Sequence, residues 1–266
     1  MKQSILSAKQ SELLENLIVK YGQIVTFDQI IETAKNNWDY KQTKNLVTKL
    51  SKDGWFIRIK RGLYAISELS SRGFLSLSPF LVANLLVKDS YVSFESALQY
   101  HGMFDQLLSK TISISLKMHK SVKLNNVEYI FVKTKNELCF GYEEATVDNK
   151  IARIATPEKA LIDIINFHKS QLAIDVVIEK LYEHKHELNF NRFNDYLSKF
   201  SITTIKIFGF IFDLIQIDST LLYKLVKQKH GTHWMLKDSK KFNAKWRLYY
   251  DEHFDQYDYS STTGNN

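Results

Sequence analysis

Seven cations, Lys41, Lys44, Lys49, Lys52, Arg58, Lys60 and Arg61, fall within residues 40–62 against one acid, Asp53. Ammonium and guanidinium groups at that density neutralise phosphates and release their counterions. Among them stand two amides, Gln42 and Asn45, and the hydroxyl of Thr48. An amide carries the paired donor and acceptor that reads a base edge, so the cations would supply affinity and the amides discrimination. The chemistry indicated is recognition of double-stranded DNA. The competing reading is a solvated charged face.

Three helices are expected to position these groups. Ser7 stands three residues before Gln10, Thr26 three before Gln29 and Asp39 three before Gln42. Each pair fits a capping box, in which the cap oxygen accepts a first-turn amide and the Gln reaches back. Leu13, Leu14, Leu17 and Ile18 then repeat at helical spacing up to Gly22, and Phe27, Ile30, Ile31 and Ala34 do the same after the second cap. In the third helix Leu46, Val47 and Leu50 share one face, which at about 100° per residue leaves Lys41, Lys44, Asn45, Thr48 and Lys52 on the other. Residues 54–66, GWFIRIKRGLYAI, read as a hairpin with a basic Lys60-Arg61-Gly62 tip. Three helices followed by a two-stranded wing predict a winged helix-turn-helix over residues 1–67, with the third helix suited to the major groove. A protein-docking module of the same shape is the alternative.

Residues 76–254 predict a mixed α/β domain with a helical C-terminal portion, so the fold class is α+β. A helix is expected near 78–87 and a second, FESALQYHG, capped by Ser93. Strands are expected at 111–116, 127–132 and around 150–154. Thr156-Pro157-Glu158 opens a further helix, followed by helical runs at about 171–187, 190–199 and 203–230. THWMLK and KWRLYY form a last hairpin-like pair, and residues 255–266 are expected to be a disordered tail.

Catalytic signals are sparse, and the reading is non-enzymatic, with no cofactor or metal. His184 and His186 are two apart, on different faces of a helix. His230 and His233 lack a neighbouring ligand cluster, and Cys139 has no nucleophile context. Glu183-His184-Lys185 matches a nuclease fragment only by chance. No phosphate-cradling Gly loop or nucleophile elbow occurs. A second basic group, Lys237, Lys240, Lys241, Lys245 and Arg247, is interleaved with Trp234, Phe242, Trp246, Tyr249 and Tyr250. It suits base stacking or a protein interface. In the plainer reading Trp246, Leu248 and Tyr250 are core, with Lys245 and Arg247 solvated.

The whole chain is an ordinary globular mixture: 266 residues, 44% hydrophobic, 24% charged, net charge +7. Residues 1–67 hold 11 basic and six acidic residues, the remainder 25 and 23, so the excess is local. One cysteine precludes an internal disulfide, and the apolar stretch 201–217 is interrupted by Lys206 and Asp213. A cytoplasmic, nucleoid-associated protein without a membrane span is expected.

Three stretches in order, GWFIRIKRGLYAI (54–66), YVSFESALQYHG (91–102) and IARIATPEKALIDII (151–165), resemble the AbiE antitoxin group of bacterial type IV abortive-infection regulators. The resemblance spans roughly residues 5–250. It implies a winged-helix autorepressor that binds inverted repeats upstream of its operon, as monomer or weak dimer acting cooperatively. It also implies a C-terminal domain that counteracts a nucleotidyltransferase-like toxin. Its DNA-contacting positions fall on Lys41, Lys44, Asn45, Thr48, Arg58, Lys60 and Arg61. Ser93, Glu95 and Ala97, and Thr156, Pro157, Glu158, Lys159 and Asp163, carry the other two stretches in structural roles, through caps and buried pairs. A DNA-targeted processing enzyme, a stand-alone regulator and an interaction scaffold are the alternatives.

Overall fold

The computed structural model describes residues 6–68 and 72–258. Each of the first three helices, α1 (Ala8–Tyr21), α2 (Phe27–Ala34) and α3 (Tyr40–Lys52), opens on the expected reciprocal capping box. Gly22, at φ +79°, ends α1 and donates its amide to the Ile18 carbonyl. A left-handed turn there suits only glycine without cost. The chain then forms a short strand, β1 (Ile24–Thr26), that period arguments over so few residues do not detect. The hairpin β2 (Phe56–Lys60) and β3 (Leu63–Ile66) turns at Arg61-Gly62 and completes an antiparallel sheet of order β1-β3-β2.

This sheet is shared between two cores. Val25, Phe56 and Ile66 pack on Leu13, Leu14, Leu17, Ile30, Leu46, Val47 and Leu50 of the three helices. Ile24, Ile59 and Ala65 instead join the main core. Alternation along the strands puts the two sets on opposite faces.

The main body is built on a six-stranded mixed sheet. After α4 (Pro79–Leu86) come β4 (Ser90–Val92), α5 (Phe94–Tyr100), β5 (Lys110–Ser115), β6 (Val122–Leu124), β7 (Val127–Lys133), β8 (Tyr142–Val147) and β9 (Lys150–Ala155). Their order is β6-β7-β5-β4-β9-β8. The strands expected near 111, 127 and 150 are present. β4 escapes sequence reading because it is three residues long, and β8 because its YEEATV run is mostly polar at one edge of the sheet.

Four departures concern the C-terminal half. The run expected over 203–230 is two helices, α9 (Ile202–Leu214) and α10 (Thr220–Val226), separated where Gln216 takes φ +59° and the Ile217 amide bonds back to Phe212. The run expected to reach 187 is α7 (Gln171–Glu183), closed at His184 ahead of α8 (Phe190–Leu197). THWMLK and KWRLYY are not a hairpin. β10 (His233–Trp234) lies parallel to β12 (Leu248–Tyr250), and the hairpin partner of β12 is β11 (Lys241–Asn243). The tail is ordered further than expected: Glu252–Tyr257 is a 3-10 turn, held where Tyr250 donates to Asp255 at 3.0 Å and Lys241 pairs with the same carboxylate. Residues 259–266 lie outside the described ones. Ser93 also departs, because it precedes α5 without capping it.

The helices stack behind the sheet around α6 (Pro157–Phe167), which opens as expected with Thr156 as its cap. The small sheet docks on α9 through Trp246, buried, whose indole N–H donates to Asp213 Oδ2 at 2.6 Å. Gly209 makes this contact possible, since a Cβ at that position would sit 2.2 Å from the Trp246 ring. Gly209→Ala is therefore expected to destabilise the protein by about 3 kcal/mol, the cost of forcing an overpacked core apart. Chemical denaturation against wild type measures it, and an unchanged midpoint would contradict this packing.

Candidate nucleic-acid interface

α3 presents its buried face, Thr43, Leu46, Val47 and Leu50, to α1, α2 and the small N-terminal sheet. Lys41, Gln42, Lys44, Asn45, Thr48, Lys49 and Lys52 are all exposed, within an arc of roughly 160° at 100° per residue. Arg58 and Arg61 on the hairpin are exposed as well. Among the described residues none of these cations forms an ion pair, so their charge is uncompensated by protein. Asn45 makes no side-chain hydrogen bond among the described residues, leaving its whole amide available. Thr48 donates back to the Lys44 carbonyl at 2.9 Å, an internal use of its proton.

Two expected contact residues are exposed but also have a partner within the protein. Gln42 Oε1 accepts the Asp39 backbone N–H at 3.0 Å, so closing the capping box removes the acceptor half of the pair that would read a base. Lys60 Nζ reaches across to the Leu86 carbonyl at 3.3 Å, at the end of α4. The unsatisfied carbonyls of a helix C-terminus attract a cation. Lys60 thereby ties the hairpin to the main body.

The second basic group is partly neutralised. Lys241 pairs with Asp255, and Lys245 donates to Asp213 Oδ1 at 2.7 Å and to Ser219 at 3.1 Å. Lys245 is thus engaged with two partners and not simply solvated, whereas Trp246, Leu248 and Tyr250 are core as expected. Lys237, Lys240 and Arg247 are exposed.

A constellation with strongly perturbed groups lies elsewhere, at the centre of the main core. Lys159 Nζ donates to Asp163 Oδ1 at 2.5 Å and to Tyr91 Oη at 2.9 Å, and the Ser93 hydroxyl donates to Asp163 Oδ2 at 2.7 Å. Both charged side chains are completely buried. Burial pushes the Lys159 ammonium below its ordinary value and the Asp163 carboxyl above its own, each against the attraction of the other. Burial likewise raises the Tyr91 hydroxyl. Such groups accompany catalysis only where substrate can reach them, and this set is sealed. Of the residues assigned structural roles from sequence, Thr156 caps α6, while Glu158, buried, accepts from Asn189 N at 2.9 Å and pairs with Arg192 at 3.0 Å.

The sequence reading missed a cleft of about 740 Å³ that gathers Lys133, Lys135 and Lys199 beside Phe167 and Phe200. Its lysines lie on separate elements, so no local motif signals it. Among the described residues no three His, Cys, Asp or Glu side chains group as a metal site, and no helix is long and apolar enough to cross a membrane.

No protein-family model matches the chain, and no curated protein matches it. Among solved structures the fold is similar to the crystal structure of RV2827C protein from Mycobacterium tuberculosis, with a TM-score of 0.66 over 93% of this chain and 92% of that one. At 13% sequence identity the likeness is one of fold.

The sealed cluster makes a stability prediction. Lys159→Met leaves the Asp163 carboxylate buried without its counter-charge and is expected to cost about 3–5 kcal/mol. Replacing both, Lys159→Met with Asp163→Leu, should recover most of that loss. Urea unfolding of the two variants tests it, and equal destabilisation by single and double changes would refute the charge argument.

Proposed function

We propose that this chain binds duplex DNA sequence-specifically through a winged helix-turn-helix made by α1 to α3 and the β2–β3 hairpin, and that it represses transcription of its own operon. The observation that carries the reading is the exposed, unpaired cationic face of α3. Nothing in folding requires that concentration of like charge, and a phosphate backbone relieves it. α2 and α3 supply the helix-turn-helix, and α3 is the recognition helix. Lys41, Lys44, Lys49 and Lys52 meet phosphates, while Asn45, with its amide free, reads a base. Arg58 and Arg61 carry the wing contacts. Lys60 acts through the body it is tied to, and Gln42 as a cap with only its N–H groups left to donate.

The resemblance to AbiE antitoxins extends the proposal. In that role the protein works in the cytoplasm on an operator of inverted repeats, and its main body opposes a nucleotidyltransferase-like toxin. The fold shared with RV2827C protein neither adds to nor subtracts from that assignment.

Fluorescence anisotropy with the chain's own upstream DNA and a scrambled duplex tests the proposal. Changing Lys44→Ala together with Lys49→Ala should weaken both complexes and make the slope of log affinity against log salt shallower by about 2. An unchanged slope would remove α3 from the interface. Asn45→Ala should instead cost about 1–3 kcal/mol on the upstream DNA and little on the scrambled duplex. Equal losses on both would end its base-reading role.

A further inference from the structure

The small sheet has one face in the core and one in solvent. Leu248 and Tyr250 of β12 point inward and are buried, so Tyr249 between them points out. In register, Trp234 of β10 stands beside Tyr249 on one side and Phe242 of β11 on the other. Three rings therefore form a row across three strands. Trp234 and Tyr249 are stacked, with centroids 5.1 Å apart and planes at 16°, and Phe242 lies 5.0 Å from Tyr249 at 50°. Trp234 is 50% and Phe242 47% exposed, although a sheet of this size could bury such rings or do without them.

The charge around the row is one-sided. Residues 233–250 hold Lys237, Lys240, Lys241, Lys245 and Arg247 against Asp238 alone. The acids that reach the sheet from elsewhere, Asp255 and Asp213, hold Lys241 and Lys245. Arg247, Lys240 and Lys237 have no ion-pair partner among the described residues. Beneath them Lys206, buried in α9, donates to the Gly231 carbonyl at 2.5 Å. Burial and the nearby Arg247 guanidinium lower the Lys206 ammonium, and burial with Lys206 and Lys169 lowers the His233 imidazole. The positive groups at this edge thus repel one another.

We propose that this face binds single-stranded nucleic acid, with Trp234, Tyr249 and Phe242 stacking on exposed bases and Lys240 and Arg247 meeting the phosphates. Every unpaired base offers a ring face, whereas a duplex keeps its bases stacked inside, so the row suits a single strand and would be of no use to the duplex bound by α3. A protein partner fits less well. Protein interfaces surround buried aromatics with few lysines, and here lysines fringe the rings.

The test uses the full chain with fluorescein-labelled twelve-nucleotide oligothymidine and oligouridine near physiological salt. Binding of either strand is expected, and comparing the two identifies DNA or RNA as the preferred source. Binding should quench the part of tryptophan emission that comes from Trp234, the most exposed of the four indoles, since Trp55 and Trp246 are buried and Trp38, ahead of α3, is half-buried and away from the row. Trp234→Ala and Phe242→Ala should each weaken the complex by about 5- to 100-fold. Trp234→Phe, which keeps a ring and the fold, should retain binding within roughly threefold while removing the Trp234 component of the quench. Lys44→Ala with Lys49→Ala should leave single-strand binding in place, which separates this site from α3. Absence of binding to either strand would overturn the proposal, as would binding lost with the α3 lysines but indifferent to the rings. A dimer in sedimentation that Trp234→Ala dissociates, without oligonucleotide binding, would reassign the row to self-association.

Discussion

Lys159 and Asp163 lie one helical turn apart on α6, both fully out of water, and the arrangement of the main body follows from having to satisfy them. Moving either ion from water into protein costs several kcal/mol, which is offset only when each charge finds good geometry and further hydrogen bonds. Asp163 takes its second bond from Ser93, and Lys159 its second from Tyr91, so the end of β4 must lie against the first turns of α6. The ammonium also lies 5.3 to 5.4 Å from the ring centres of Tyr91, Phe140 and Phe200, which brings the segment after β7 and the turn before α9 to the same point. Gly141 completes the enclosure, since a Cβ there would come within 3.0 Å of the Lys159 stem. Serving Asp163 explains why Ser93 does not cap α5. The following residue, Phe94, takes φ +57°, a conformation that costs a large L-residue energy and persists because its ring is buried against Phe167 and His168.

The same body fixes the direction of the cationic face. A three-stranded sheet packed on one side only would leave its other side wet and α3 free to reorient. Here Ile24, Ile59 and Ala65 enter the main core, and Lys60 reaches the end of α4. The helices above the sheet keep a core of their own. The two cores therefore meet through the shared sheet.

The parts legible in sequence are those decided by neighbours along the chain. The three capping boxes, the exposed arc of α3, the Arg61-Gly62 turn and the opening of α6 depend on spacings of a few residues, and each was predictable from them. What sequence could not reveal depends on distant partners. The parallel pairing of β10 with β12 joins residues 15 apart, with β11, which lies between them in sequence, pairing on the far side of β12, where proximity suggests a hairpin of the two. Gln42 reads in sequence both as the partner of the Asp39 capping box and as a base reader, and the box takes the oxygen that base reading needs, while the Ser93 hydroxyl, expected to cap α5, is taken by Asp163. Lys60 shares the composition of the hairpin tip but not its exposure to a common partner, because α4 supplies a carbonyl within reach.

A net charge of +7 says little until it is divided by what each cation touches. In the main body several cations have carboxylate partners: Arg192 with Glu143 and Glu158, Lys180 with Glu179 and Glu183, Lys241 with Asp255, Lys245 with Asp213. The cations of α3 and of the hairpin have none among the described residues. Paired surface charges contribute little to stability and little to the distant field, whereas unpaired ones of like sign add within a Debye length. The densest local excess of unpaired positive charge therefore lies on α3 and the hairpin, with a smaller one at the small sheet, where Lys237, Lys240 and Arg247 have no acid partner among the described residues. Two positive surfaces of different chemistry result, one of flexible ammonium groups around a free amide and one of exposed rings with cations at the margin. Under the two proposals made above, the first would meet a regular phosphate backbone and the second an unpaired base.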